Sequence, residues 1–130
     1  MKIIDGKDAI MGRLASYAAK EALKGEDIVI LNTEQVIITG NRENIKKDFD
    51  EKRTHVGSAQ KGPKISRSPE KILKRVIRGM LPDHRTGRGK VALKRIRCYV
   101  GVPKEFENMK KISGGKEIKS RFITIEELKK

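Results

Sequence analysis

The chain has 130 residues, a formal net charge of +14 and a pI near 10.1, with 36% hydrophobic residues and no tryptophan. That is enough for one domain, residues 1–130, with a real core, and too hydrophobic for a wholly disordered polycation. A single cysteine, Cys98, excludes an internal disulfide, argues against a cysteine-based zinc site and fits a reducing compartment; no apolar run has the length of a signal peptide or a membrane span, so no membrane partner is expected.

Residues Lys2–Asp5 read as a short buried strand closed by Gly6. Met11, Leu14, Ala15, Ala18, Ala22 and Leu23 then recur at helical spacing, with Gly25 where a left-handed C-cap would stand. Asp27–Leu31 and Val36–Thr39 read as the second and third strands, separated by a tight turn at Asn32–Gln35. Asn41 is placed to cap a helix over 42–51 whose Ile45 and Phe49 face inward. Residues 53–68 have no core-forming pattern and are expected to be a long loop, of the kind that is often functional. Ser68-Pro69 marks a helix start and Pro82 sets its limit. In that helix Ile72, Leu73, Val76, Ile77 and Met80 oppose Lys71, Lys74, Arg75 and Arg78, so one face suits a core and the other is cationic. Residues 82–90 read as a second basic loop. Ile96, Cys98, Val100 and Val102 alternate with Arg97, Tyr99 and Gly101 as a strand that ends at Pro103. The stretch 104–121 reads as irregular and charged, and Thr124-x-x-Glu127 has the form of a capping box opening a short last helix. Strand–helix–strand at the start, and later strands separated by helices, predict an α/β fold with a mainly parallel sheet of about four strands.

The charge is localised. Residues 52–97 hold 15 Lys/Arg against only Glu70 and Asp83, which accounts for thirteen of the fourteen net positive charges. Such a block repels itself unless a polyanion screens it, and it is the footprint of a nucleic-acid binder. The candidate RNA-binding residues are Arg53, His55, Lys61, Lys64, Arg67, Lys71, Lys74, Arg75, Arg78, His84, Arg85, Arg88, Lys90, Lys94, Arg95 and Arg97. No aromatic residue lies within 52–97, so base stacking is not expected there. The block suits a structured RNA read through phosphate, 2′-hydroxyl and shape. Both basic loops are expected to be loose in the free protein and to order on RNA.

Other chemistry is weakly supported. Gly87-Arg88-Gly89-Lys90-Val91-Ala92 fits a dinucleotide fingerprint in letters, but follows a helix and a proline turn rather than a strand. Cys98 with His55 or His84 could form a nucleophile and base, yet Cys98 falls on the apolar side of its strand, where an inert thiol is expected. Two histidines without nearby carboxylates are a poor metal set, so neither metal nor cofactor is expected. The runner-up function is a nucleotide-dependent enzyme using the Gly6–Gly12 turn for phosphate, with Glu34 available after the second strand to hold a ribose but better explained as a turn residue.

Val36–Asn41, Lys52-Arg53-Thr54-His55, Ser66–Leu73, Arg78–Pro82 and Leu93–Pro103 together resemble the large-subunit ribosomal protein family numbered thirteen. Ile4-Asp5-Gly6 followed by Met11-Gly12-Arg13-Leu14-Ala15 is similar to that family's start, and Gly-Met-Leu-Pro with the downstream Gly-Arg is the most specific signature. Lys-Gly-Pro, Ser-Arg-Ser-Pro and the short C-terminus look most like an archaeal type. The resemblance implies a three-layer α/β/α fold with basic extensions. It implies a cytoplasmic, ribosome-bound protein whose partners are large-subunit rRNA and neighbouring ribosomal proteins. It also implies no catalytic activity and no small-molecule substrate.

Overall fold

A computed structural model of the chain describes residues 1–54, 67–113, 115 and 120–129, apart from the side chains of Arg53 and Lys129. The expected loop contacts of His55, Lys61 and Lys64 lie outside the described residues.

Two short aliphatic runs form the centre. Lys2–Asp5 (β1) and Ile28–Leu31 (β2) pair in parallel, with Ile3 opposite Val29 and Ile4 opposite Ile30. All four residues of β2 are buried, because a central parallel strand is covered on both faces. Between them runs α1 (Met11–Leu23), whose Leu14, Ala15, Ala18, Ala19 and Ala22 face the sheet. The small alanines leave room for α3 and α4 to pack closely beside the helix. Gly25 follows at φ +101, as a left-handed helix end requires.

The remaining elements are a 3-10 turn at Thr33–Gln35, then β3 (Ile37–Thr39), α2 (Arg42–Thr54), α3 (Pro69–Met80), α4 (Gly87–Arg95), β4 (Ile96–Cys98), a 3-10 turn at Lys104–Phe106, β5 (Ile112–Ser113), β6 (Phe122–Thr124) and α5 (Ile125–Lys129). The main sheet has the order β4-β2-β1-β5 and is parallel throughout. It therefore has the four parallel strands that the sequence predicts, but not the same four. β3 leaves the sheet and pairs antiparallel with β6. The fourth place is taken by β5, a two-residue strand too short to carry a readable period.

Period-two alternation divides the core. Ile4, Ile28, Ile30 and Ile96 join the helix-covered cluster with Ile72, Leu73, Ile77 and Ala92. Ile3, Val29 and Leu31 point the other way and meet Phe106, with Tyr99 and Val102 packed beside them. The three layers are thus unequal: α1, α3 and α4 lie on one face, and the segment 99–106 closes the other. The strand after Arg95 is shorter than the alternation suggests. It ends at Cys98, Val100 is 53% exposed, and Tyr99 and Val102 pack on the cluster opposite to the one that holds Ile96 and Cys98.

Helix starts follow their local signals. The Asn41 side chain accepts the Glu43 amide at 3.0 Å, and the Thr124 hydroxyl accepts the Glu127 amide at 3.4 Å. Glu127 does not close the capping box on itself; it pairs with Arg42 at 2.8 Å and ties α5 to α2.

One acid sits inside this framework. Glu21 on α1 is buried and accepts the Lys2 ammonium at 2.6 Å and the Lys24 ammonium at 3.3 Å. The Lys2 hydrogen bond, chiefly, holds the Glu21 carboxyl below its ordinary range and raises Lys2 above its own. A depressed carboxyl stabilises the fold above its unfolded pKa, and that contribution disappears as pH falls through the folded value. A raised lysine stabilises below its unfolded pKa and loses that contribution as pH rises through the folded one. Glu21→Gln should therefore lower Tm at neutral pH and flatten both the acid and the alkaline limbs of a Tm–pH profile. A profile parallel to wild type would contradict this assignment.

Cys98 packs against the helix-side cluster, and burial pushes its thiol up to about 12. Thiol reagents should label the native protein slowly at pH 8 and the unfolded protein quickly.

Candidate nucleic-acid interface

The surface of α3 follows from its own wheel. Ile72, Leu73 and Ile77 are buried against α1 and β4, and burying each such side chain contributes about 1.5–3 kcal/mol. With that face fixed, Lys71 and Arg75 are exposed and Lys74 and Arg78 are half-buried on the outer side. Ser68 occupies the N-cap in extended conformation, and its carbonyl accepts the Ile72 amide at 3.0 Å. Glu70 stands in the first turn, where an acid suits the helix dipole.

The second basic region is not the loop that its glycines suggest. Residues 87–95 form α4, and only 82–86 is a turn. The turn is organised by Asp83: its Oδ1 accepts the Arg85 amide at 3.0 Å and its Oδ2 accepts the Thr86 hydroxyl at 3.3 Å. The amide bond is the main reason the Asp83 carboxyl lies below its ordinary range. Gly89 is buried in the first turn of α4, where an added Cβ would lie 2.3 Å from the Pro82 carbonyl oxygen. The glycine that discourages a helix in the sequence is thus what lets this helix dock. The Asp83-x-x-Thr86 spacing after Pro82 was the available sign of an ordered turn. Arg85, Arg88, Lys90 and Lys94 are exposed around this corner and His84 is half-buried.

Among the described residues the ion pairs are Met1–Glu26, Lys2–Glu21, Lys24–Glu21 and Arg42–Glu127. None involves Arg67, the four cations of α3, or Arg85, Arg88, Lys90 and Lys94. The structure brings these residues onto the side of the sheet that carries α3 and α4. Two candidates part from them. Arg95 turns inward, and its guanidinium donates to the Ala22 carbonyl at the end of α1 at 3.2 Å. Arg97 lies opposite Val29 in the ladder, so it projects from the other face of the sheet. Arg53 belongs to α2 rather than to a loop.

The carboxyl ends of the strands, where doubly wound sheets hold nucleotides, are filled by the chain itself. Asp5 Oδ1 accepts the Lys7 amide at 3.0 Å and the Asn32 side-chain amide at 2.9 Å. Glu34, the acid a ribose would need, accepts the Gly101 amide at 3.0 Å. At Gly6 an added Cβ would lie 2.8 Å from both the Leu31 carbonyl oxygen and a Val36 methyl.

This arrangement defines a class: an α/β platform that displays unpaired cations and keeps its strand ends closed. The family described as Ribosomal protein L13 matches residues 1–105. The chain is 46% identical over its whole length to large ribosomal subunit protein uL13 of Methanocaldococcus jannaschii, covering 96% of that protein. It is 44% identical over its whole length to the uL13 of Thermoplasma acidophilum, covering 96% of it. With the Pyrobaculum islandicum protein it shares 41% identity over 97% of its length and 75% of the relative's. The chain belongs to the ribosomal protein L13 family, a structural family and not one of enzymes, and its relatives here are archaeal.

Arg95 and Lys94 are neighbours in sequence with different duties. Arg95→Gln should lower Tm by removing the bond to Ala22 and barely change the salt dependence of RNA binding. Lys94→Gln should leave Tm within experimental error. The reverse pattern would overturn these placements.

Proposed function

We propose that this protein is a structural constituent of the large ribosomal subunit. It binds rRNA through the outer faces of α3 and α4 and the turn between them, and supports folding of that RNA during assembly. Residues 1–130 act as one domain in this role, bound to ribosomes in the cytoplasm, with rRNA and neighbouring ribosomal proteins as partners. The observation that carries the reading is the set of described cations in 67–94 without a carboxylate partner. A polyanion supplies that partner, and release of its condensed counterions drives association. Arg53, His55, Lys61, Lys64 and Arg67 extend the same basic block in sequence, and Arg97 would reach RNA only from the other face of the sheet.

The nucleotide-enzyme reading is not favoured, because Glu34 and Asp5 are already spent on backbone and side-chain amides.

Replacing Lys71, Lys74, Arg75 and Arg78 together with Gln leaves the buried face of α3 intact. Binding to a large-subunit rRNA transcript should weaken, and the slope of log K against log salt should shrink by about one per lost phosphate contact. An unchanged slope would remove this face from the interface.

A further inference from the structure

We propose a second RNA contact on the opposite flank of α1: a cleft that takes one unstacked nucleotide, with its base against Tyr17 and its phosphate on Arg13. The proposal rests on the rRNA-binding reading and adds a site outside the basic block. The cleft has a volume of about 270 Å³ and is lined by Ile4, Arg13, Leu14, Tyr17, Ile112 and Ser113. Its size falls below the roughly 300–1,000 Å³ of pockets for drug-sized ligands, so it suits a single base and not a dinucleotide.

The chemistry of the lining is specific. Leu14 and Ile4 are buried and give an apolar floor, while Ile112, 43% exposed, forms one wall on the edge strand β5. Tyr17 is 39% exposed, and the Lys2 ammonium stands 5.7 Å from its ring centroid. Lys2 is itself anchored to Glu21, so its positive charge is fixed beside the ring. Arg13 is exposed, lies one turn before Tyr17 on the same face, and pairs with no described carboxylate. Glu21, the nearest acid on α1, is neutralised by two lysines. The lining therefore offers positive charge without an opposing carboxylate. An apolar slot with one aromatic wall and one guanidinium is the set of groups that reads an unstacked base and its phosphate.

Continuity with the main surface supports RNA as the occupant. The Ser16 hydroxyl lies 3.6 Å from the Met80 sulfur, so the outer face of α1 adjoins the end of α3. One RNA could cross from the α3 cations to Arg13 without leaving the protein.

The test uses the full chain and a large-subunit rRNA transcript, with affinity measured over a range of salt. Tyr17→Ala should weaken binding roughly five- to 150-fold, the range for losing one base–aromatic stack, with no change in the salt slope. Tyr17→Phe keeps the ring and should bind like wild type. Arg13→Gln should weaken binding and lower the slope by about one. If wild type binds with steep salt dependence and Tyr17→Ala and Arg13→Gln match it, the cleft is not an RNA site although the rRNA-binding reading stands. The same holds if these variants bind rRNA normally but lose a protein neighbour in reconstituted subunits. If wild type shows no salt-dependent binding, the rRNA-binding reading falls and this site falls with it.

Discussion

The burial of Ile72, Leu73 and Ile77 decides what the rest of the surface can do. Because these side chains must leave water, α3 has one permitted orientation on α1 and β4, and that orientation turns Lys71, Lys74, Arg75 and Arg78 outward. Positive charge this dense costs stability through self-repulsion. The fold tolerates it because the apolar side of the same helix is bound into the largest cluster of the core. Stability and the proposed RNA contact share one helix, with the apolar contacts supplying the first and the outward cations offered for the second.

The two acids of the basic block sit where they organise chain and do not neutralise the surface. Glu70 is in the first turn of α3, and Asp83 ties the turn that leads into α4. Glu21, by contrast, gathers Lys2 and Lys24 and pairs both lysines within the protein, although Lys24 stays exposed. Charge pairing among the described residues is therefore concentrated at the near-neutral start of the chain, and the described cations of 67–94 have no carboxylate partner there.

Much of this was legible in the sequence, for physical reasons that can be named. β1, α1, β2, α3 and the Thr124 cap carry strong local signals: aliphatic runs, period 3.6, a Ser-Pro start and a Thr-x-x-Glu spacing. α4 was hidden because Gly87 and Gly89 speak against a helix locally, and only the close approach of Pro82 explains why Gly89 is there. β5 and β6 are too short to show alternation, so the partner of β3 and the fourth strand of the main sheet emerge only from tertiary pairing. The charge block itself needed no structure to be seen. Its sorting did: Arg95 is consumed by the end of α1 and Arg97 faces away, which no count of charges distinguishes from Lys94.

The central claim is that the outer cations of α3 and α4 are unpaired in the protein because RNA pairs them in the particle. Lysine acylation read by mass spectrometry tests it most directly, comparing free protein with assembled large subunits. Lys71, Lys74, Lys90 and Lys94 should react readily in the free protein and become protected in the subunit. If these four remain as reactive in the subunit as in the free protein, the account is wrong.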